Sequence, residues 1–163
     1  MREKPNSRAG WHWMNRSESL TKELRNLIRF DTSYPPGDTT EIANYIYKIL
    51  NECGYSVNIH EKEKGLANVV ATMGEGSPSL VLNTHLDTVG PGDIKNWKNN
   101  PFEATLDGNM LYGLGAVNCK GSGAVQLWVA RQIAKNGGPV KGQVTFTFVT
   151  DEESLGSNGT AFL

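Results

Sequence analysis

Three short polar clusters carry the chemistry open to this chain. The first is Asn83-Thr84-His85-Leu86-Asp87, at the end of an apolar run. In an extended segment His85 and Asp87 fall on the same side. An imidazole can ligate a metal, and a nearby carboxylate can hold its other ring nitrogen in place. Taken alone, H-x-D is a weak signal, and a solvated loop is the plainer reading. The second cluster is Tyr112-Gly113-Leu114-Gly115-Ala116-Val117-Asn118-Cys119-Lys120-Gly121. Its glycines let backbone approach a ligand closely, and free amides at the start of a helix favour an anion. The spacing is not that of the G-x-x-x-x-G-K-[ST] phosphate loop. A glycine-rich turn into a helix is the plainer account. The third cluster is Asp151-Glu152-Glu153, after the run ending at Val149 and Thr150. Adjacent acids repel one another unless solvent or a cation intervenes. One carboxylate could bind a metal while its neighbour acts as general base. An acidic turn ahead of a helix N-terminus is the other reading.

These clusters need elements to position them. Leu20, Leu24, Leu27 and Ile28 recur at helical spacing, so a helix is expected from about Glu18 to Phe30. Residues 1–16 have no such period and read as an unstructured lead. Pro35, Pro36 and Gly37 break the chain, and Asp38 with Glu41 has the spacing of a capping box for the next helix. That helix presents Ile42, Tyr45, Ile46, Ile49 and Cys53, with Gly54 as a left-handed cap. Tyr55 to His60, Ala67 to Thr72 and Leu80 to Thr84 read as strands. Gly74-Glu75-Gly76 suggests a hairpin or neighbouring strands at that point. A second hairpin is expected from Phe102 to Leu106 and Met110 to Tyr112 around Asp107-Gly108-Asn109. A helix from about Lys120 to Lys135 and a strand from Gln143 to Val149 follow, with a new helix starting near Ser157. Helices and strands interleave, which gives an α/β layered domain with a mixed sheet. The clusters then fall at strand ends, where open α/β sheets bind ligands.

Composition narrows the function. The 163 residues carry 16 Lys and Arg against 17 Asp and Glu, a net charge of −1. That balance gives no support to a nucleic-acid partner or an anionic membrane surface. No apolar run reaches the ~18 residues that span a bilayer. Two cysteines, Cys53 and Cys119, make no disulfide framework, and no signal segment is visible, so a reducing, cytoplasmic setting is expected.

In order, the clusters resemble the motifs of the zinc-dependent aminoacylase/carboxypeptidase metallohydrolases, most closely the acetylornithine deacetylase and succinyl-diaminopimelate desuccinylase branch. Thr84-His85-Leu86-Asp87-Thr88-Val89 matches the first motif. Trp97, Pro101-Phe102, Asp107-Gly108 and Leu111-Tyr112-Gly113 match the connecting stretch, and Thr150-Asp151-Glu152-Glu153 with Gly156-Ser157 matches the third. The resemblance runs from about Leu20 to Leu163.

The resemblance implies a three-layer αβα zinc-peptidase-like catalytic domain, incomplete at its C-terminal side. Residues 17–163 would then be the N-terminal part, without the lid or dimerisation domain. It also implies roles. His85 would ligate one zinc and Glu153 the other. Asp87 would orient His85, and Glu152 would be the general base. The substrate would be an N-acyl amino acid or small peptide cleaved at an amide. Two zinc sites are implied, with cobalt as a possible substitute, and full-length relatives would be homodimers. Asn118 stands where the family has the aspartate that bridges both metals, so a second metal would be held more weakly. Leu114 stands where an arginine is common. Cys119, often methionine there, is either a zinc ligand or a small buried hydrophobe. Two further readings stay open. One is a non-catalytic relative that keeps the fold. The other, resting only on the short chain, is a metal-free α/β binding module.

Overall fold

The computed structural model describes residues 13–163, with side chains from residue 17 onward. Of the lead expected over 1–16, the first twelve positions lie outside the described residues. The first helix, α1, spans Trp13–Ile28, so it begins earlier than the leucine stripe alone indicated. Then come β1 (Ser33–Tyr34), α2 (Thr40–Glu52), β2 (Ser56–Glu61), β3 (Ala67–Gly74), β4 (Ser79–His85) and β5 (Thr88–Val89). A single 3-10 turn (Ile94–Asn96), β6 (Thr105–Asp107), β7 (Met110–Tyr112), α3 (Lys120–Lys135) and β8 (Gln143–Val149) follow.

The main sheet has the order β2-β3-β8-β4. β3 is antiparallel to β2 and β8, whereas β4 and β8 run parallel, so the sheet is mixed as expected. The glycine turn after β3 does not make a hairpin with β4, because β8 inserts between them. Parallel β4 and β8 require a long crossover, and α3 lies within it. Val144, Phe146 and Phe148 of β8 alternate inward onto a core with Val69 and Ala71 of β3, Ile42, Ile46 and Leu50 of α2, and Leu127 of α3. α2 and α3 pack on this face, and α1 packs on α3. On the opposite face Val70, Val81, Thr145 and Thr147 line a cavity with Phe162 and Leu163 from the chain's last turn.

Local signals hold in part. Gly54 has φ +84°, as a left-handed cap requires. The capping box does not form. Asp38 Oδ1 accepts from Thr40 N at 2.8 Å, two residues on rather than three. Thr39 is the N-cap residue, but its hydroxyl bonds the carbonyl of Ala67 at 2.9 Å. The β6–β7 hairpin turns at Gly108 and Asn109, with β6 beginning at Thr105 rather than Phe102. No helix follows Ser157 among the described residues, and the segment is a series of turns.

Three helices are joined by a polar knot. Tyr45 Oη of α2 donates to Glu23 Oε1 of α1 at 2.9 Å and accepts from Asn26 Nδ2 at 3.0 Å. Arg131 Nη2 of α3 donates to Glu23 Oε2 at 3.0 Å. Burial, with Glu23 beside it, pushes the Tyr45 phenol up to about 12, and burial does the same to Tyr55. The folded state therefore keeps protons that the unfolded chain loses near pH 10, so stability falls as pH rises from 10 to about 12. Urea midpoints measured across this range should decline, and Tyr45→Phe should remove part of the slope.

Candidate metal centre

The parallel pair β4 and β8 sets the place. Their carboxyl ends are neighbours, with His85 paired to Val149 and Leu86 N donating to Val149 O at 2.7 Å. His85 therefore leaves β4 beside the segment in which Glu152 and Glu153 leave β8. Asn118 arrives from the third side, just ahead of α3. The approach between β7 and α3 is tight: at Gly115, φ +74°, a Cβ would lie 2.7 Å from Thr88 Cγ2. The glycine freedom that suggested a close ligand is thus spent on the protein's own packing.

His85 is nearly buried and contacted at both ring nitrogens. Nδ1 lies 3.0 Å from the Asp87 carbonyl oxygen and 3.5 Å from Asp87 Oδ1. Nε2 lies 3.2 Å from Asn118 Oδ1 and 3.7 Å from Glu152 Oε2. Burial works against the charged ring. The hydrogen bonds to Asp87 and Asn118 outweigh it and raise the imidazole to about 9. Asp87 is 1% exposed. Burial also works against its charge, but the His85 contact and the backbone amides of Glu153 and Glu152 hold it below the usual carboxylate range. Thr32 anchors this turn, donating its hydroxyl to Leu86 O at 2.7 Å and accepting from Thr88 N at its carbonyl at 3.0 Å.

The sequence-predicted residues converge. Ligand atoms of His85, Glu152 and Glu153 lie within 4.8 Å of one another. Asn118 connects them: Nδ2 donates to Glu153 Oε1 at 2.7 Å while Oδ1 faces His85. One imidazole and two carboxylates are a donor set suited to zinc. The buried Asp87 Oδ1 has no hydrogen-bond partner among the described residues, while Oδ2 accepts from Glu153 N at 2.8 Å. The residues present therefore fit a divalent cation. Cys119 stands outside this group, its thiol 3.0 Å from the Thr84 hydroxyl. Lys120 is buried, and its Nζ donates to Phe30 O at 2.6 Å; desolvation pushes its ammonium down to about 8.

Two residues beside the site have bracing roles that the sequence did not disclose. Asp151, grouped in sequence with the two glutamates, turns away from them. Its φ is +63° and its Oδ2 accepts from Asn158 N at 3.1 Å and Asn158 Nδ2 at 2.9 Å. Ser154 Oγ donates to the other oxygen. Gly156 packs so tightly against this carboxylate that no Cβ would fit. Asn68, fully buried on β3, spans the same loop: Oδ1 accepts from Thr150 N at 3.1 Å, and Nδ2 donates to Asn158 O at 2.8 Å. A polar residue within the otherwise apolar run Ala67 to Ala71 was the available signal. Asn68→Ala would strand Thr150 N and Asn158 O, at roughly 1–3 kcal/mol for each unsatisfied group. Chemical denaturation should show that loss, with weaker metal binding because the loop carries Glu152 and Glu153.

Comparison with known proteins bears on the family and the fold. Residues 81–163 match the model of peptidase family M20/M25/M40. The chain is 36% identical over 136 residues to a succinyl-diaminopimelate desuccinylase of Rhodopseudomonas palustris (strain BisB5), covering 80% of this chain and 35% of that protein. A metallo-carboxypeptidase from Sulfolobus solfataricus is similar in structure, with a TM-score of 0.74 and 25% identity over 85% of this chain and 32% of that one. Human carnosine dipeptidase 1 gives a TM-score of 0.75 at 16% identity, over 88% of this chain and 34% of that one. The chain thus spans about a third of the length of the curated relatives it matches.

Proposed function

The chain belongs to peptidase family M20/M25/M40, and on that premise we propose that it serves metal-dependent hydrolysis of an amide bond in an N-acyl amino acid or small peptide. The observation that carries this reading is the meeting of His85, Glu152 and Glu153 within 4.8 Å at the carboxyl ends of two parallel strands. His85, Glu153 and the Asn118 carbonyl would hold the ion, with zinc the best match to an imidazole and carboxylates. When bound, it supplies Lewis acidity, polarising the scissile carbonyl and making water more acidic.

The protein's own groups do the rest. Asp87 fixes the His85 ring through Nδ1 and leaves Nε2 aimed at the centre. Glu152, 55% exposed, keeps a carboxylate free to accept a proton from the attacking water and pass it to the leaving nitrogen. Asp87 Oδ2 and the Asn68–Asp151 brace hold the Glu153 backbone in place. The named desuccinylase relative supports amide cleavage as the reaction class.

Asn118 favours a second reading, that of a relative with a weakened centre. It is neutral and already donates to Glu153 Oε1, so it brings no negative charge to a second ion. Assaying the purified chain on N-acyl amino acids with zinc or cobalt, and again after chelation, tests the proposal. Metal-dependent release of the free amino acid supports it, and cleavage indifferent to the chelator rejects it.

A further inference from the structure

A cavity of about 390 Å³ opens directly off the metal centre. Asn118 and Glu153 are among the residues that line it. Val89, Trp97, Leu111, Tyr112, Leu114 and Val117 supply its walls. Leu114 is nearly buried, whereas Val117 is 89% exposed. Trp97 is held in position by donating its indole N–H to Pro91 O at 2.8 Å. Among the described residues no Lys, Arg or His lines the cavity, and the one charge in its lining is the Glu153 carboxylate. Lys98, next to Trp97 in sequence, is not part of the lining and lies 3.4 Å from Asp107 Oδ2, while Lys120 is buried and turned to Phe30 O.

We infer that this cavity is the subsite for the acyl group of the substrate, and that it selects an uncharged apolar acyl chain over one ending in a carboxylate. This rests on the amide-hydrolase reading given above. An apolar acyl group placed here keeps its amide carbon beside Glu153 and Asn118, where the ligand atoms converge. Apolar surface buried on these walls gains about 0.8 kcal/mol per methylene, close to fourfold in affinity. A terminal carboxylate in the same place would lose hydration with no countercharge and would face Glu153. The cavity has room for a phenyl or branched acyl group, since pockets for small ligands start near ~300 Å³.

The test is binding of N-benzoylglycine, N-acetylglycine and N-succinylglycine to the whole chain, by calorimetry and by NMR shifts of the amides at 113–117. N-benzoylglycine should bind at least about tenfold tighter than N-succinylglycine, as several buried methylene equivalents imply, and should move those amides. Val117→Lys, at an exposed position that folding tolerates, should narrow or reverse the preference. Equal or tighter binding of N-succinylglycine by the unaltered chain overturns the inference. So does absence of N-benzoylglycine binding at millimolar concentration, or binding that leaves the 113–117 amides unmoved. Tight N-benzoylglycine binding without metal-dependent cleavage would sink the hydrolase reading while sustaining the subsite. Cleavage with a succinyl preference would do the reverse.

Discussion

Glu152→Gln lowers amide turnover by about 10²–10⁴-fold, the usual contribution of a positioned general base, while metal affinity stays within a few-fold. The carboxylate lies 3.7 Å from His85 Nε2 and is the most exposed of the three converging groups. Glu153 is less exposed, and its amide is held by Asp87 at 2.8 Å. On the proposed reading, the more exposed glutamate carries the proton and the one whose backbone amide is held is the ligand. Glutamine keeps the shape and an oxygen, so it removes basicity without emptying the site. Turnover and zinc calorimetry on the same sample separate the two roles. If the zinc affinity of Glu152→Gln falls as far as its turnover, Glu152 is a ligand and the assignment is wrong.

Asn118→Asp acts in the opposite sense. In the parent chain the amide donates to Glu153 Oε1 at 2.7 Å and turns its oxygen to His85 Nε2 at 3.2 Å. A carboxylate cannot donate that bond. Without metal, the bond to Glu153 is lost and two carboxylates abut, while the His85 ring faces the new charge from the other side, so the variant loses about 1 kcal/mol of stability, the worth of one hydrogen bond. With metal the same charge becomes attractive and offers two oxygens, so zinc affinity rises by roughly ten- to a hundredfold, a gain of about 1.4–2.8 kcal/mol. Thermal melts should thus show a less stable metal-free variant and a larger shift on adding zinc. An unchanged shift would mean that Asn118 does not face the ion.

The elements around the site were largely legible because their patterns are local. The 3.6 period of Leu24, Leu27 and Ile28 and the alternation of Val144, Phe146 and Phe148 follow from one face being buried. His85 and Glu153 stand in clusters that read alone as a solvated loop and an acidic turn as well as a site, and their roles are singled out only by the resemblance to the metallohydrolase motifs. What sequence did not disclose was non-local. β8 entering between β3 and β4 depends on packing across the whole sheet. Asp38 bonding Thr40 instead of capping further on is decided by Thr39, which is drawn to Ala67. Asp151 looked like a third member of an acidic site. Only the loop's closure on Asn158 and Ser154 shows that its charge is consumed internally. Asn68 gave no motif at all, since its partners are the backbone of Thr150 and Asn158.

The central claim is that His85 and Glu153 hold a metal ion beside a free Glu152. Titration of the chain with cobalt(II), followed by its visible absorption, tests this most directly. Saturable binding with one tight equivalent, abolished in both His85→Ala and Glu153→Ala and retained in Glu152→Gln, is the expected result. Cobalt spectra that are the same in His85→Ala and in the parent chain would contradict it.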